Sequence, residues 1–244
     1  MSDGIYSALS GAVAQQRSLD VVANNVANVG TVGYRADTLA FREALSQQQG
    51  QLPDGLRYVT VEEVSTDSSA GPLTQTGNRL DVALNGDGML AVSTPDGTRY
   101  TRAGSLRMDA QGVLRTPSGH GVLDANANQR GALVTIPPNA TEIAIATDGT
   151  VTADGADVGR LRVDRFADGA LQKEGLTLFR ATGNGTPAAE TEVLQGYVEG
   201  ANVSPVSGMN ELIGASRAFD AFQRVIQAFK QIDEHAAREL GKNG

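Results

Sequence analysis

A chain of 244 residues is long enough to bury a real core, as one large domain or two smaller ones. Its 29 glycines fall short of the periodic one residue in about three of a collagen-like chain and point to frequent tight turns. A formal charge of -8 leaves no surplus of Lys and Arg to displace phosphate counterions, and the absence of Cys excludes disulfides and thiolate metal sites.

The start, Met1-Ser2-Asp3-Gly4-Ile5-Tyr6-Ser7, lacks the basic region and apolar core of a secretory signal. No stretch approaches the roughly 18 consecutive apolar residues of a bilayer span. Read on physics alone, these features describe a cytoplasmic chain.

Residues 5–29 carry a helical pattern, with Ile5, Leu9, Ala12, Gln16, Leu19, Ala23 and Val26 at spacings of three and four. Ser2 or Asp3 caps the start, and Gly30 and Gly33 are stop signals. The stripe is thin, flanked by Ala, Gly and Ser, so the helix is marginal alone. Asn24, Asn25 and Asn28 near its end have two readings. They fray the last turn, or their amides satisfy one another or a partner backbone in a packed assembly.

Residues 37–55 are polar and Gln-rich and read as a connector. Residues 56–197 carry the signals of short strands, with candidates at 56–61, 80–84, 89–92, 98–101, 131–136, 142–146, 158–166 and 176–181. Asp-Gly pairs beginning at Asp87, Asp96, Asp148, Asp154 and Asp168 supply reversals. Short strands and frequent turns without βαβ alternation predict an antiparallel, mainly β central domain.

The chain closes on a second helical pattern over residues 205–240, about 50 Å long at 1.5 Å per residue. Ser204 is its cap and Pro205 its first helical position. Leu212, Phe219 and Ile226 make one row, and Phe222, Val225, Phe229 and Ile232 a second. Two rows exceed what one partner helix needs. The two terminal helices are expected to pair antiparallel and leave apolar surface for assembly. The expected organisation is 1–36 as N-terminal assembly helix, 37–55 as connector, 56–197 as β domain and 198–244 as C-terminal assembly helix.

Chemistry finds little to hold. His120 sits in a turn-like run and His235 near a helix end, and neither has a metal-ligand set. The segment beginning at Asp124 fails as a calcium loop, because Gln129 and Thr135 replace the required Gly and Glu. Residues 148–157 are acidic, but hairpin turns explain them. No phosphate loop or nucleophile elbow is present, and nothing brings Asp109 and Asp124 together as a glycosidase pair. The expectation is no catalytic site, no metal and no cofactor. A soluble β-domain enzyme or carbohydrate binder is the rival reading, and it requires a concave cleft of converging polar groups within 56–197.

The residues at both ends resemble a known family. Ile5-Tyr6-Ser7-Ala8-Leu9-Ser10-Gly11-Ala12, followed by Asp20-Val21-Val22-Ala23-Asn24-Asn25-Val26-Ala27-Asn28-Val29-Gly30-Thr31-Val32-Gly33-Tyr34-Arg35, is similar to the N-terminal signature of flagellar basal-body rod and hook proteins. Leu194-Gln195-Gly196-Tyr197-Val198-Glu199-Gly200-Ala201-Asn202-Val203-Ser204-Pro205-Val206 resembles the C-terminal signature, continuing through Met209, Leu212, Phe219 and Ile226. Central pieces such as Leu84-Asn85-Gly86-Asp87-Gly88 and Tyr100-Thr101-Arg102-Ala103-Gly104 also match. Gly208 departs from the usual acidic or polar residue, and Met89 from the usual Phe.

The resemblance implies a structural subunit whose terminal helices pair and pack with neighbouring rod subunits, transmitting torque, while the β domain faces outward. It implies export by the flagellar type III apparatus without a cleaved signal peptide, to the periplasmic rod of the basal body. Chain length favours a proximal-rod member, with distal-rod and hook subunits as alternatives. The expected assembly residues are Ile5, Leu9, Leu19, Asn24, Asn25, Asn28, Gly30, Gly33 and Tyr34 at one end. At the other they are Asn202, Pro205, Met209, Leu212, Phe219, Phe222, Ile226 and Phe229.

Overall fold

The computed structural model describes residues 2–45, 57–126 and 131–242. A helix stands at each end, α1 (Ser2–Ala27) and α2 (Pro205–Lys242), and the strands lie between them. The described chain forms two compact units. One draws on Met1–Asn28, Ala36–Asp67 and Val203–Gly244, the other on Val29–Arg35 and Ser68–Asn202.

In the first unit α2 begins as its sequence dictates. The Gly208 N–H donates to the Ser204 carbonyl at 2.9 Å and the Ser207 N–H to Ser204 Oγ at 3.4 Å, while Pro205 lacks only an N–H that a first turn leaves idle. Two strands complete the unit, β1 (Asp37–Leu45) and β2 (Arg57–Thr66). They pair antiparallel from Asp37↔Thr66 to Leu45↔Arg57, with a bulge between Ala40 and Phe41. A two-stranded ribbon is marginal by itself, and both strands contact α1. The stretch read as a connector thus opens as a strand. Its remainder, residues 46–55, and Leu56 lie outside the described residues.

The second unit is built from short antiparallel strands. They are β3 (Leu73–Gln75), β4 (Val82–Asn85), β5 (Met89–Thr94), β6 (Gly97–Thr101), β7 (Arg107–Met108), β8 (Leu114–Arg115), β9 (Gly121–Val122) and β10 (Ile143–Ile145). There follow β11 (Thr150–Ala153), β12 (Ala156–Arg160), β13 (Val163–Arg165), β14 (Leu171–Glu174), β15 (Leu178–Ala181), β16 (Thr186–Pro187), β17 (Glu192–Gln195) and β18 (Tyr197–Glu199). The largest sheet runs β14-β15-β6-β5-β9-β8-β7, with β13 joined to β5 and β16. β10, β11 and β12 form a second sheet, while β17 pairs with β4 and β18 with β3.

Asp154-Gly155 shows why reversals sit at Asp-Gly pairs, Asp87-Gly88 being the exception, where the positive φ falls on Gly86 instead. Asp154 and Gly155 both take positive φ, 49° and 81°, as a two-residue turn joining β11 to β12 demands. β5 is buried on both faces: Leu90 enters one core with Leu106, Leu114 and Ile136, whereas Met89 and Ala91 enter another with Tyr100 and Phe179. That two-sided burial explains the continuous apolar run of Met89-Leu90-Ala91-Val92.

The strand expected at 131–136 does not form. Among its described residues only single bridges occur, Leu133 to Leu123 and Thr135 to Val113. Its N–H groups go to different segments in turn, Val134 to the Val122 carbonyl and Ile136 to that of Gly112, so no ladder extends.

Candidate assembly surface of the terminal helices

α1 and α2 pack antiparallel, and glycine sets how closely. A Cβ on Gly4 would stand 2.7 Å from Phe229 Cζ, and one on Gly11 would stand 2.4 Å from Phe222 Cε1. The two glycines and the two phenylalanines are each seven residues apart, so each ring rests on bare backbone one heptad from the next. Ala8 and Ala12 are buried beside them and Ala215 is buried on α2. At the far end the sizes invert. A Cβ on Gly208 would meet Val26 Cγ2 at 2.6 Å. The departure at Gly208 therefore has a steric cause: the first turn of α2 loses helix propensity, and Val26 occupies the space.

The stripe expected on α1 divides. Ile5, Leu19 and Val26 are partly buried, but Leu9, Gln16 and Ala23 are exposed, because glycine and alanine make the contact with α2. On α2, Leu212, Phe219, Phe222, Ile226 and Phe229 are all partly buried. Pro205 and Met209 are exposed. Eight of the eleven exposed large apolar side chains among the described residues lie on α1 or α2, the exceptions being Val64, Leu73 and Leu176.

The three asparagines have distinct partners. Asn25 grips the main chain of Asp37 from both sides, donating from Nδ2 to its carbonyl at 2.8 Å and accepting its N–H at 2.9 Å. The side chain thereby anchors the first residue of β1. Asn28 Nδ2 donates to the Asn24 carbonyl and to Asn24 Oδ1, which ties Asn28 back to the last turn of α1. Of the two readings of these amides, the second holds in altered form: Asn28 bonds Asn24 and Asn25 finds a backbone partner, but that backbone belongs to the same chain and not to an assembly.

The segments just outside the helices are stitched together inside the β unit. Gly33 takes φ +70°, and a Cβ there would lie 2.3 Å from the Ala103 nitrogen. Its N–H donates to the Glu199 carbonyl at 2.7 Å. Gly30, by contrast, faces open space. Tyr34 is fully buried, with the Lys173 ammonium 4.1 Å from its ring centroid. Asn202 donates from Nδ2 to the Ser69 carbonyl and hydroxyl.

At the centre is a buried ion triad that sequence reasoning missed. The Glu199 carboxylate, 1% exposed, accepts from Arg35 Nη2 at 2.6 Å, Arg102 Nη1 at 3.0 Å and the Gly71 N–H at 2.9 Å. Arg102 also donates to the Leu84 and Gly86 carbonyls. Burial pulls its guanidinium below its ordinary value, and the Glu199 carboxylate opposes that shift. Arg35 Nη1 is buried without a hydrogen-bond partner. The available signal was Glu199 itself, an acid set between Val198 and Gly200 in an otherwise uncharged run.

The candidates for other chemistry are placed elsewhere. His120 is partly buried beside Thr116, and His235 is exposed on α2. Asp124 accepts the N–H groups of Asn126 and Arg160, and residues 127–130 of the failed calcium loop lie outside the described residues. Among the described residues no cluster of His, Asp or Glu could hold a metal ion, and no helix is long and apolar enough to cross a membrane.

Comparison with known proteins covers both the ends and the middle. The model of the flagella basal body rod protein matches residues 5–35. That of the flagellar hook protein FlgE/F/G D1 domain matches residues 83–153, and that of the flagellar basal body rod FlgEFG protein C-terminal matches residues 194–239. The chain is 32% identical to the flagellar basal-body rod protein FlgF of Caulobacter vibrioides, with 99% of each chain covered. It is 34% identical to FlgF of Escherichia coli, over 98% of this chain and 97% of that one. The rod protein FlgG of Bacillus subtilis is 33% identical over 95% of this chain and 97% of its own. With two paired terminal helices, a mainly β stretch of chain between them in sequence and relatives matched nearly end to end, this chain belongs to the family of flagellar basal-body rod proteins, and is most like FlgF.

Proposed function

We propose that the chain is a structural subunit of the flagellar rod, assembled through α1 and α2 and without a catalytic role. One observation carries this reading. The apolar surface left open is concentrated on the two terminal helices of a chain whose relatives are named as rod proteins. Exposed apolar faces of this kind mark surfaces that are covered in an assembly. The proximal rod is the favoured position, supported by FlgF relatives covered at 99% of both chains. FlgG relatives of equal identity keep the distal rod as the second reading. Delivery to the periplasmic rod through the flagellar export apparatus completes the proposal.

The test is removal of the chain from a motile parent strain. Loss of motility is expected, together with basal bodies whose rods are incomplete, both restored by the wild-type chain. Complete rods formed without it would overturn the reading. Immunolabelling of isolated basal bodies separates the proximal from the distal position.

A further inference from the structure

The β unit ends on a short stretch, residues 192–202, that is bonded to segments throughout the rest of it. β17 and β18 fall within this stretch, and among the described residues they are the sole strand partners of β4 and β3. The Val193 N–H donates to the Thr147 carbonyl and the Gly196 N–H to that of Asp81, both at 2.8 Å. The Gly200 N–H donates to the Pro72 carbonyl, again at 2.8 Å. Toward the start of the chain, the Glu199 carbonyl accepts the Gly33 N–H, and the Asn202 N–H reaches the Tyr34 carbonyl at 3.4 Å.

Two side chains extend these links. Gln195 stands in for a strand on the open edge of β10: its Oε1 accepts the Ile145 N–H at 3.2 Å, and its Nε2 donates to the Ile143 carbonyl at 3.1 Å. The same Nε2 donates to the Arg79 carbonyl at 2.7 Å. The Glu199 carboxylate is bonded to Gly71, 128 residues back along the chain, and to Arg102, 97 residues back. Before Glu199 docks, closing the β unit would bury the Arg35 and Arg102 guanidiniums together without a counter-charge, which low-dielectric surroundings oppose. Before Val193 docks, its place in the core that holds Leu84, Leu90 and Val151 stays unfilled. Ladders offer no substitute, because strand pairing does not run from the largest sheet to the β10–β12 sheet or to either two-stranded pair.

We propose that residues 192–202 are a closing strap, and that the β unit stays open until they dock. The inference stands on the β unit alone. Loop closure is the reason for the order: contacts across about a hundred residues repay nothing until the far segment arrives. The strap is also the last part of the β unit to be synthesised. No shorter length of chain therefore holds the contacts that complete the fold. Joined to the delivery proposed above, this keeps the β unit threadable until its final residues are free.

Pulse-labelled hydrogen exchange during refolding of the full chain tests the strap. The Ala91 and Leu114 N–H groups, bonded to the Arg162 and Val134 carbonyls, report on the largest sheet, and those of Gly196 and Gly200 report on the strap. All four are expected to become protected in one phase. Protection of Ala91 and Leu114 before Gly196 and Gly200 overturns the proposal. Glu199→Gln keeps the size of the side chain and removes its charge. It is expected to slow that phase about tenfold at all four groups, as loss of a charged hydrogen bond in the rate-limiting step does. Folding at the wild-type rate with faster unfolding would mean that the strap docks afterwards, and overturns the proposal. If Glu199→Gln does not fold, Gln195→Ala, which loses the amide at the edge of β10, is read in the same way, with a slowing of about threefold expected.

Discussion

Glu199 is the residue on which the β unit closes, since segments distant in sequence end on its carboxylate. Removing one member of a buried charge set leaves the others uncompensated, at a cost of about 3–5 kcal/mol. Glu199→Ala is therefore expected to lower the stability of the β unit by that amount in denaturant unfolding, and a loss below about 1 kcal/mol would show the triad to be solvated. Asp109 gives a pH dependence instead. The Arg115 guanidinium and the Val113 N–H hold its carboxyl below its ordinary value. A carboxyl depressed in the folded state stabilises above its unfolded pKa, near about 4, and that contribution is lost as pH falls through the lower folded value. Asp109→Asn should melt below wild type at neutral pH, with the gap closing under acid. A gap that is constant from pH 7 to pH 3 would contradict this.

At the scale of elements, the α1–α2 seam depends on size alternation more than on apolar area. Phe222→Ala removes a ring that is only partly buried, so its loss is expected at the low end of the ~3–5 kcal/mol for a buried Phe. Gly11→Leu tests the other side of the same contact. A leucine cannot fit where even a Cβ would meet the ring, and overpacking of this kind costs about 1–3 kcal/mol. Circular dichroism of both variants should show helix loss with the β signal retained. Unchanged helicity in Gly11→Leu would mean that the helices separate without penalty.

For the whole molecule, the two units differ in what holds them. The β unit encloses large side chains that are fully buried, among them Leu90, Leu106, Leu114 and Ile136, and the helices hold their seam with alanine, glycine and partly buried rings. Hydrogen exchange on the soluble monomer is expected to be slowest within residues 68–202 and fastest in α1 and α2. Equal protection of both helices in a verified monomer would show that the pair is stable without neighbours.

Both terminal helices, the Ser204-Pro205 start and the Asp-Gly reversals could be read in the sequence because each is a local matter of period, cap chemistry or φ. The mainly β centre was legible for the same reason, through short runs between turn residues. β1 was not, since Ala40, Arg42 and Glu43 carry no strand signal until β2 pairs with them across the ribbon. The failure of a strand at 131–136 was equally hidden, for a ladder depends on which segment comes alongside. The face of α1 that packs was settled by Phe222 and Phe229, more than two hundred residues away, which select glycine over the apolar stripe. Glu199 became a centre only when folding brought Arg35 and Arg102 to it. Helix, cap and turn are decided by neighbours within a few residues, and these the sequence determined by itself. Ladder partners, close helix approach and buried charge depend on groups distant in the chain, and only the tertiary structure decided them.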